Sequence, residues 1–233
     1  MLIHAILVAH IIVVGYWLGS DLVINSTFRY VSRAAAMPFA DRDRLLEHVL
    51  DVDQHVRYAL ILQVWLGTTL GALLGYFPGG ILLAGAATLL GMAWLTLVEF
   101  THRLRSGPGG RALGLIDRTI RYAAIVTAVT ISGGTLMGNF PVAGWLAVKL
   151  GLFAAVIVSG LGIRYELIHY FAVWNTIRLE GSTEERERLL RSRYKSSTTV
   201  LVLLWLLVAA IVAVSVLKPG WAERSTGRVA DRS

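Results

Sequence analysis

Ala143–Trp174, AGWLAVKLGLFAAVIVSGLGIRYELIHYFAVW, decides the fold. Its apolar run exceeds the ~20 residues that a helix rising ~1.5 Å per residue needs to cross a bilayer. Yet Lys149 lies inside one end, and Arg164, Glu166 and His169 lie at the other. Ionisable groups in a membrane helix are costly, so they face protein or water and take partners. Those partners are expected at matching depth on other helices.

The rest of the chain has the same character. Of its 233 residues 55% are hydrophobic and 16% charged, with mean hydropathy +0.63. That charged fraction lies below the ~25% of soluble domains, and the apolar residues fall in blocks of about 20. There is no cysteine, which excludes disulfides, thiolate metal ligation and thiol catalysis. The net charge is +7. No basic and aromatic interleaving points to nucleic acid, and the expected partner is the lipid bilayer.

Six spans are expected: Leu2–Ile24, Val56–Phe77, Ile81–Phe100, Thr119–Phe140, Ala143–Ile168 and Thr198–Leu217. The first reads as an uncleaved span, because it has no basic n-region and no small-residue cleavage site. Pro78-Gly79-Gly80 and Pro141 mark two short turns, and Lys218-Pro219-Gly220 stops the last span. Basic residues crowd three longer segments: Arg29, Arg33, Arg42 and Arg44; Arg103, Arg105, Arg111, Arg118 and Arg121; and Arg178, Arg186, Arg188, Arg191, Arg193 and Lys195. By the positive-inside rule these are cytoplasmic and both termini are outside, although Lys218, Arg224, Arg228 and Arg232 argue the other way. The fold class is therefore all-α, an integral membrane six-helix bundle, N-out/C-out, multi-pass in the inner membrane. One transmembrane domain is expected over residues 1–217, with a polar, disordered tail over 218–233.

Local signals refine this picture. Asp41 reads as an N-cap of a helix from about Arg42 that runs into the second span. The fifth helix continues to about Leu179 and breaks at Glu180-Gly181-Ser182-Thr183. Ser182 or Thr183 then caps a polar helix over Glu184–Tyr194, with Glu185 placed for a capping box to Ser182, and its mixed charge reads as a solvated surface. Gly67, Gly71 and Gly75, Ser132-Gly133-Gly134 with Gly138, and Ser159-Gly160 with Gly162 are expected to let helices of this chain approach closely. A homo-oligomer or a redox partner stays open. Trp17, Tyr30, Tyr58, Trp145, Tyr165, Tyr170 and Trp174 read as an interfacial belt.

With that orientation, ionisable groups share a level near the cytoplasmic face: Asp21, Asp51 and His55, Glu99 and His102, and Glu166 and His169. Glu99/His102 and Glu166/His169 are spaced i,i+3, so each pair shares a helix face. Two such helices with a carboxylate from each of two more make the ligand pattern of a dimetal site, suited to iron or another divalent metal. The same residues can instead pair with arginines such as Arg57, Arg118, Arg121 and Arg164, or line a proton or solute path. In the outer half, His10 or Met137 is a possible axial ligand for haem b. Otherwise His10 bonds to a neighbouring helix and Lys149 snorkels outward.

Two stretches carry a resemblance. His10-Ile-Ile-Val-Val-Gly-Tyr-Trp17 resembles the first helix of HemJ-type protoporphyrinogen oxidases and of CopD-like copper-resistance membrane proteins. Trp145-Leu-Ala-Val-Lys149-Leu resembles the opening of a later HemJ helix. The resemblance implies a helical membrane protein tied to haem or copper, with His10 and Lys149 at the positions of that group's first-helix histidine and membrane lysine. Two functions are thus expected. One is a metal- or haem-linked membrane redox protein, possible as an oxidoreductase. The other is a non-enzymatic copper or small-ion transporter or structural subunit whose cluster is a salt-bridged network.

Overall fold

The computed structural model describes residues 1–104 and 107–218, and every regular element among them is a helix. The order is α1 (Leu2–Arg33), α2 (Phe39–Leu73), α3 (Gly80–Arg103), α4 (Pro108–Leu136), α5 (Gly144–Glu180) and α6 (Glu184–Leu217). Arg105, the Pro219-Gly220 stop and the tail from there on, with Arg224, Arg228 and Arg232, lie outside the described residues. Five helices, all but α4, are long and apolar enough to cross a membrane. In α4 the apolar block is diluted by Arg121, four threonines (Thr119, Thr127, Thr130 and Thr135) and Ser132.

The helices outrun the apolar blocks. α1 continues nine residues past Ile24, to Arg33. α2 starts at Phe39 with Pro38 as its N-cap, so Asp41 is not the cap; it lies in the first turn, where a carboxylate suits the helix dipole. α5 ends at Glu180, and Gly181 (φ +87°) takes the left-handed conformation that ends it. Thr183 caps α6, its Oγ1 accepting from the Arg186 amide at 3.3 Å. The Ser182 hydroxyl donates to Glu187 Oε1 at 2.7 Å, which takes it out of the expected capping box. α6 then runs unbroken, so the polar helix and the last span are one element.

The chain forms two compact units. The first holds Met1–Arg118 and Glu166–Thr198. Its core joins Phe28 and Val31 of α1, Leu46 and Val49 of α2, Tyr170, Trp174 and Ile177 of α5, and Leu190 and Tyr194 of α6. All nine lie outside the predicted spans, so the segments read as basic loops pack as a helical cap. Glu187, Leu190 and Tyr194 are buried, which corrects the reading of that helix as solvated. Trp17, Tyr170 and Trp174 are also buried and do not belong to an interfacial belt.

Arg42 holds the cap together. Its side chain is 1% exposed. Nη1 and Nη2 donate to the two Glu187 oxygens at 2.7 and 3.0 Å, and Nε and Nη2 donate to the Val31 carbonyl at 3.2 and 3.0 Å. The guanidinium lies 4.9 Å from the Trp174 ring centroid, and Phe39 stacks on that ring at 5.0 Å. Trp174 Nε1 donates to Asp43 at 2.8 Å, and Arg178 pairs with the same carboxylate. Ser32 and Tyr170 share a 3.0 Å hydrogen bond. Burial pushes the Tyr170 phenol up to about 12, so it stays protonated.

α2 and α4 end alike. Gly71-Ala-Leu-Leu-Gly75-Tyr-Phe77-Pro78 and Gly134-Thr-Leu-Met-Gly138-Asn-Phe140-Pro141 repeat the pattern G-x-x-x-G-x-F-P. Gly75 (φ +75°) and Gly138 (φ +79°) are left-handed, and the Tyr76 and Asn139 amides bond back to the Gly71 and Gly134 carbonyls at 2.8 and 2.7 Å. Phe77 and Phe140 fold onto Gly71 and Gly134, where a Cβ would strike the ring. Elsewhere in the first unit α2 and α3 meet closely: a Cβ on Gly91 would lie 2.6 Å from Trp65 Cγ. In the second unit (Thr119–Tyr165 with Thr199 onward) a Cβ on Gly151 would lie 2.9 Å from Ser132 Oγ, and one on Gly162 would lie 3.4 Å from Val200. Gly71, Gly134, Gly151 and Gly162 thus serve contacts within the chain.

Burial pushes the Glu187 carboxyl up, but hydrogen bonds from Arg42 and Ser182 and the charges of Arg42 and Arg191 outweigh it and hold it below the ordinary glutamate value. Asp43 is likewise held low: burial raises it, and the bonds from Trp174 and Arg178 with the Arg178 charge overcome that. A carboxyl lowered on folding stabilises the protein above its unfolded value, and this is lost as pH falls through the folded value. Two outcomes are expected from unfolding of the purified protein in detergent. Glu187→Ala, which strands a buried guanidinium, costs about 3–5 kcal/mol, while the double change Arg42→Leu/Glu187→Leu costs less than that single change. The wild-type loses stability as pH drops below the ordinary carboxylate range, and the double variant loses less.

Candidate functional site

The middle of α2, Asp51–Tyr58, and the last turn of α3, Glu99–Arg103, carry most of the ionisable groups singled out in the sequence. Both helices reach this level because α2 precedes its apolar span, and α3 follows its own, with polar turns that join it without a break. Gln54 Nε2 donates to the Val98 carbonyl at 3.2 Å and fixes their register. Asp51 then meets His102, with Nε2 3.8 Å from Oδ1. Arg57 pairs with Asp53 one turn away on α2, at 2.9 Å. Tyr58 donates to Glu99 Oε2, and Arg103 donates to Glu99 Oε1. The His55 ring lies edge-on to Tyr58 at 6.2 Å, and its Nδ1 shares a 2.5 Å hydrogen bond with the Tyr16 hydroxyl of α1.

The seven expected metal residues are thus accounted for one by one. Asp51 and His102 meet each other, Glu99 is held by Tyr58 and Arg103, and His55 is held by Tyr16. Asp21 is buried on α1. Glu166 is half-buried on α5, where its Oε2 is enclosed without a hydrogen bond, and His169 is half-buried one turn on. Among the described residues no group of three or more His, Cys, Asp or Glu stands close enough to hold a metal ion. The guanidinium on Glu99 also occupies space that a cation would need. Arg57, expected to pair with this group, pairs with Asp53; Arg103, which engages Glu99, was read only as a loop charge. Its i,i+4 spacing from Glu99 was the available signal.

His10 lies in the first unit, with Cε1 3.3 Å from where a Gly67 Cβ would stand. Gln63 Nε2 donates to the His10 carbonyl at 2.9 Å, so this turn of α1 is bonded to its neighbouring helix through the backbone. An axial haem iron at Nε2 would need room on the edge that faces Gly67. Met137 and Lys149 lie in the second unit, Met137 exposed just after α4 and Lys149 half-buried on α5. Sequence reasoning also missed Asp117, which is buried near the start of α4 and accepts from Trp94 Nε1 at 2.8 Å. A carboxylate four residues from Arg121 gave no local sign of a tryptophan partner on another helix.

Tyr16, Tyr58, Leu62, Leu95, Thr96, Glu99 and Arg103 line an open groove of about 700 Å³ on α1–α3. Chemically the arrangement offers paired charges, two phenols and apolar walls at one place. Comparison with family models, with curated proteins and with solved structures returned no match.

The two contacts of Glu99 are of unequal worth. Arg103 is 70% exposed, so double-mutant coupling of Glu99→Gln with Arg103→Gln is expected to be weak. The less exposed Tyr58 bond to the carboxylate is expected to give the larger coupling in the Tyr58→Phe/Glu99→Gln cycle, read by unfolding in detergent. Equal couplings would contradict the assigned geometry.

Proposed function

We propose that this chain is a non-enzymatic multi-pass membrane protein, six-span with both termini outside, in which the carboxylate and histidine belt is a pairing network. It works as a structural subunit: an apolar helical body closed at its cytoplasmic end by a buried polar cap. The observation that carries this reading is the engagement of Glu99 by Tyr58 and Arg103, beside Asp51 on His102 and Asp53 on Arg57. Partners of this kind neutralise carboxylates at the edge of a membrane, where unpaired charge is costly. The sixth crossing is α4, whose threonine hydroxyls can bond within the helix, as Thr135 does to the Ile131 carbonyl at 2.7 Å.

Metal analysis and absorption spectra of the purified protein test the network directly. The expected result is no stoichiometric metal and no Soret band. A bound metal lost on Glu99→Gln or His102→Gln would overturn the reading in favour of a metal-linked redox protein. Reporter fusions test the topology: activity of an external reporter at the N-terminus is expected, and a cytoplasmic signal there would overturn the orientation.

A further inference from the structure

The groove on α1–α3 changes character along its length. Arg103 and Glu99 lie at the end of α3, and Leu95 lies two turns from Arg103, about 12 Å deeper into the apolar helix. On α2, Tyr58 stands at the polar level and Leu62 one turn deeper, about 6 Å. The polar end therefore sits where a bilayer becomes aqueous, and the apolar walls run toward its interior. Neither charge is saturated. A carboxylate accepts about four hydrogen bonds, of which Tyr58 and Arg103 use two. The Arg103 fork has five donors, is 70% exposed and spends Nε on Glu99. Cation and anion are offered together one helical turn apart, with two tyrosines lining the same groove.

We propose that this groove binds a zwitterionic aminophospholipid. Its primary ammonium is taken by Glu99 and the Tyr16 and Tyr58 rings, its phosphate by Arg103, and an acyl chain lies along Leu62 and Leu95. Charge complementarity selects the headgroup. A second anion without an amine would face Glu99 unpaired, and a quaternary amine, although a ring can hold it, has no N–H to give the carboxylate. The inference rests on Glu99 being a pairing residue, as the proposed function holds, and not a metal ligand.

The test is native mass spectrometry of the full chain in micelles containing phosphatidylethanolamine, phosphatidylcholine or phosphatidylglycerol, each with and without EDTA. Phosphatidylethanolamine is expected to be retained about tenfold more than either other lipid, as one charge-assisted hydrogen bond implies. Glu99→Gln and Arg103→Gln are expected to remove the preference. Thr96→Trp, which fills the groove from an exposed position and leaves the pairing untouched, is expected to lower retention of phosphatidylethanolamine while the melting temperature stays at the wild-type value. Equal retention of the three lipids in EDTA-treated protein would overturn the lipid site alone, and so would a preference that survives Thr96→Trp. A preference that appears only after EDTA strips a metal from Glu99 would instead overturn the network reading, and with it the premise of the lipid site.

Discussion

Four helices meet at the guanidinium of Arg42. It bonds the carbonyl that ends α1, both oxygens of Glu187 in the first turn of α6, and the face of Trp174 on α5, while itself belonging to the start of α2. A buried ion pair of this kind adds little net stability relative to an apolar substitute, because desolvation offsets the attraction. Its effect is positional. Four directed hydrogen bonds on a planar fork allow one arrangement of the helix ends, and the stacked rings of Phe39, Trp174 and Tyr170, with Phe28 edge-on to Tyr170, then fill the space around it.

That constraint reaches the polar belt through α2. Arg42 fixes the start of α2, and the helix carries Asp51, Asp53, His55 and Tyr58 onward without a break to the level where they meet α3. Gln54 locks α3 beside it. The belt is therefore tied at both ends of its short stretch, and the charges of the groove on α1–α3 are placed by helix register.

The all-helical class and five of the six expected apolar segments were legible because crossing a bilayer demands long uninterrupted apolar runs. The continuation of α2 from the first basic segment and of α5 to Glu180 was legible too, from the apolar spacing after Arg44 and the Gly181 break. The cap was not. Charge in Arg42 and Glu187 reads as solvated surface when only composition is weighed, although Glu187, Leu190 and Tyr194 recur at one-face helical spacing. Trp174 and Tyr170 stand just past an apolar run, where an interfacial belt and a packed core look the same in sequence. The doubled G-x-x-x-G-x-F-P ending was present as letters, but its glycines were weighed as helix-contact surfaces, and only the backbone reveals them as turn-closing positions. In the site, matching depth proved insufficient: helices that bring carboxylates to one level still direct them to separate partners, and side-chain direction cannot be read from span boundaries.

Hydrogen–deuterium exchange of the purified protein tests the cap most directly, by comparing Glu187–Tyr194 with the solvent-facing start of α4. If Arg42 organises a buried cap, amides from Glu187 to Tyr194 exchange as slowly as those of α2 around Leu46 and Val49, far more slowly than those near Arg111. Exchange of Glu187–Tyr194 as fast as that of the start of α4, with α2 protected, would contradict the account and return this segment to a solvated helix.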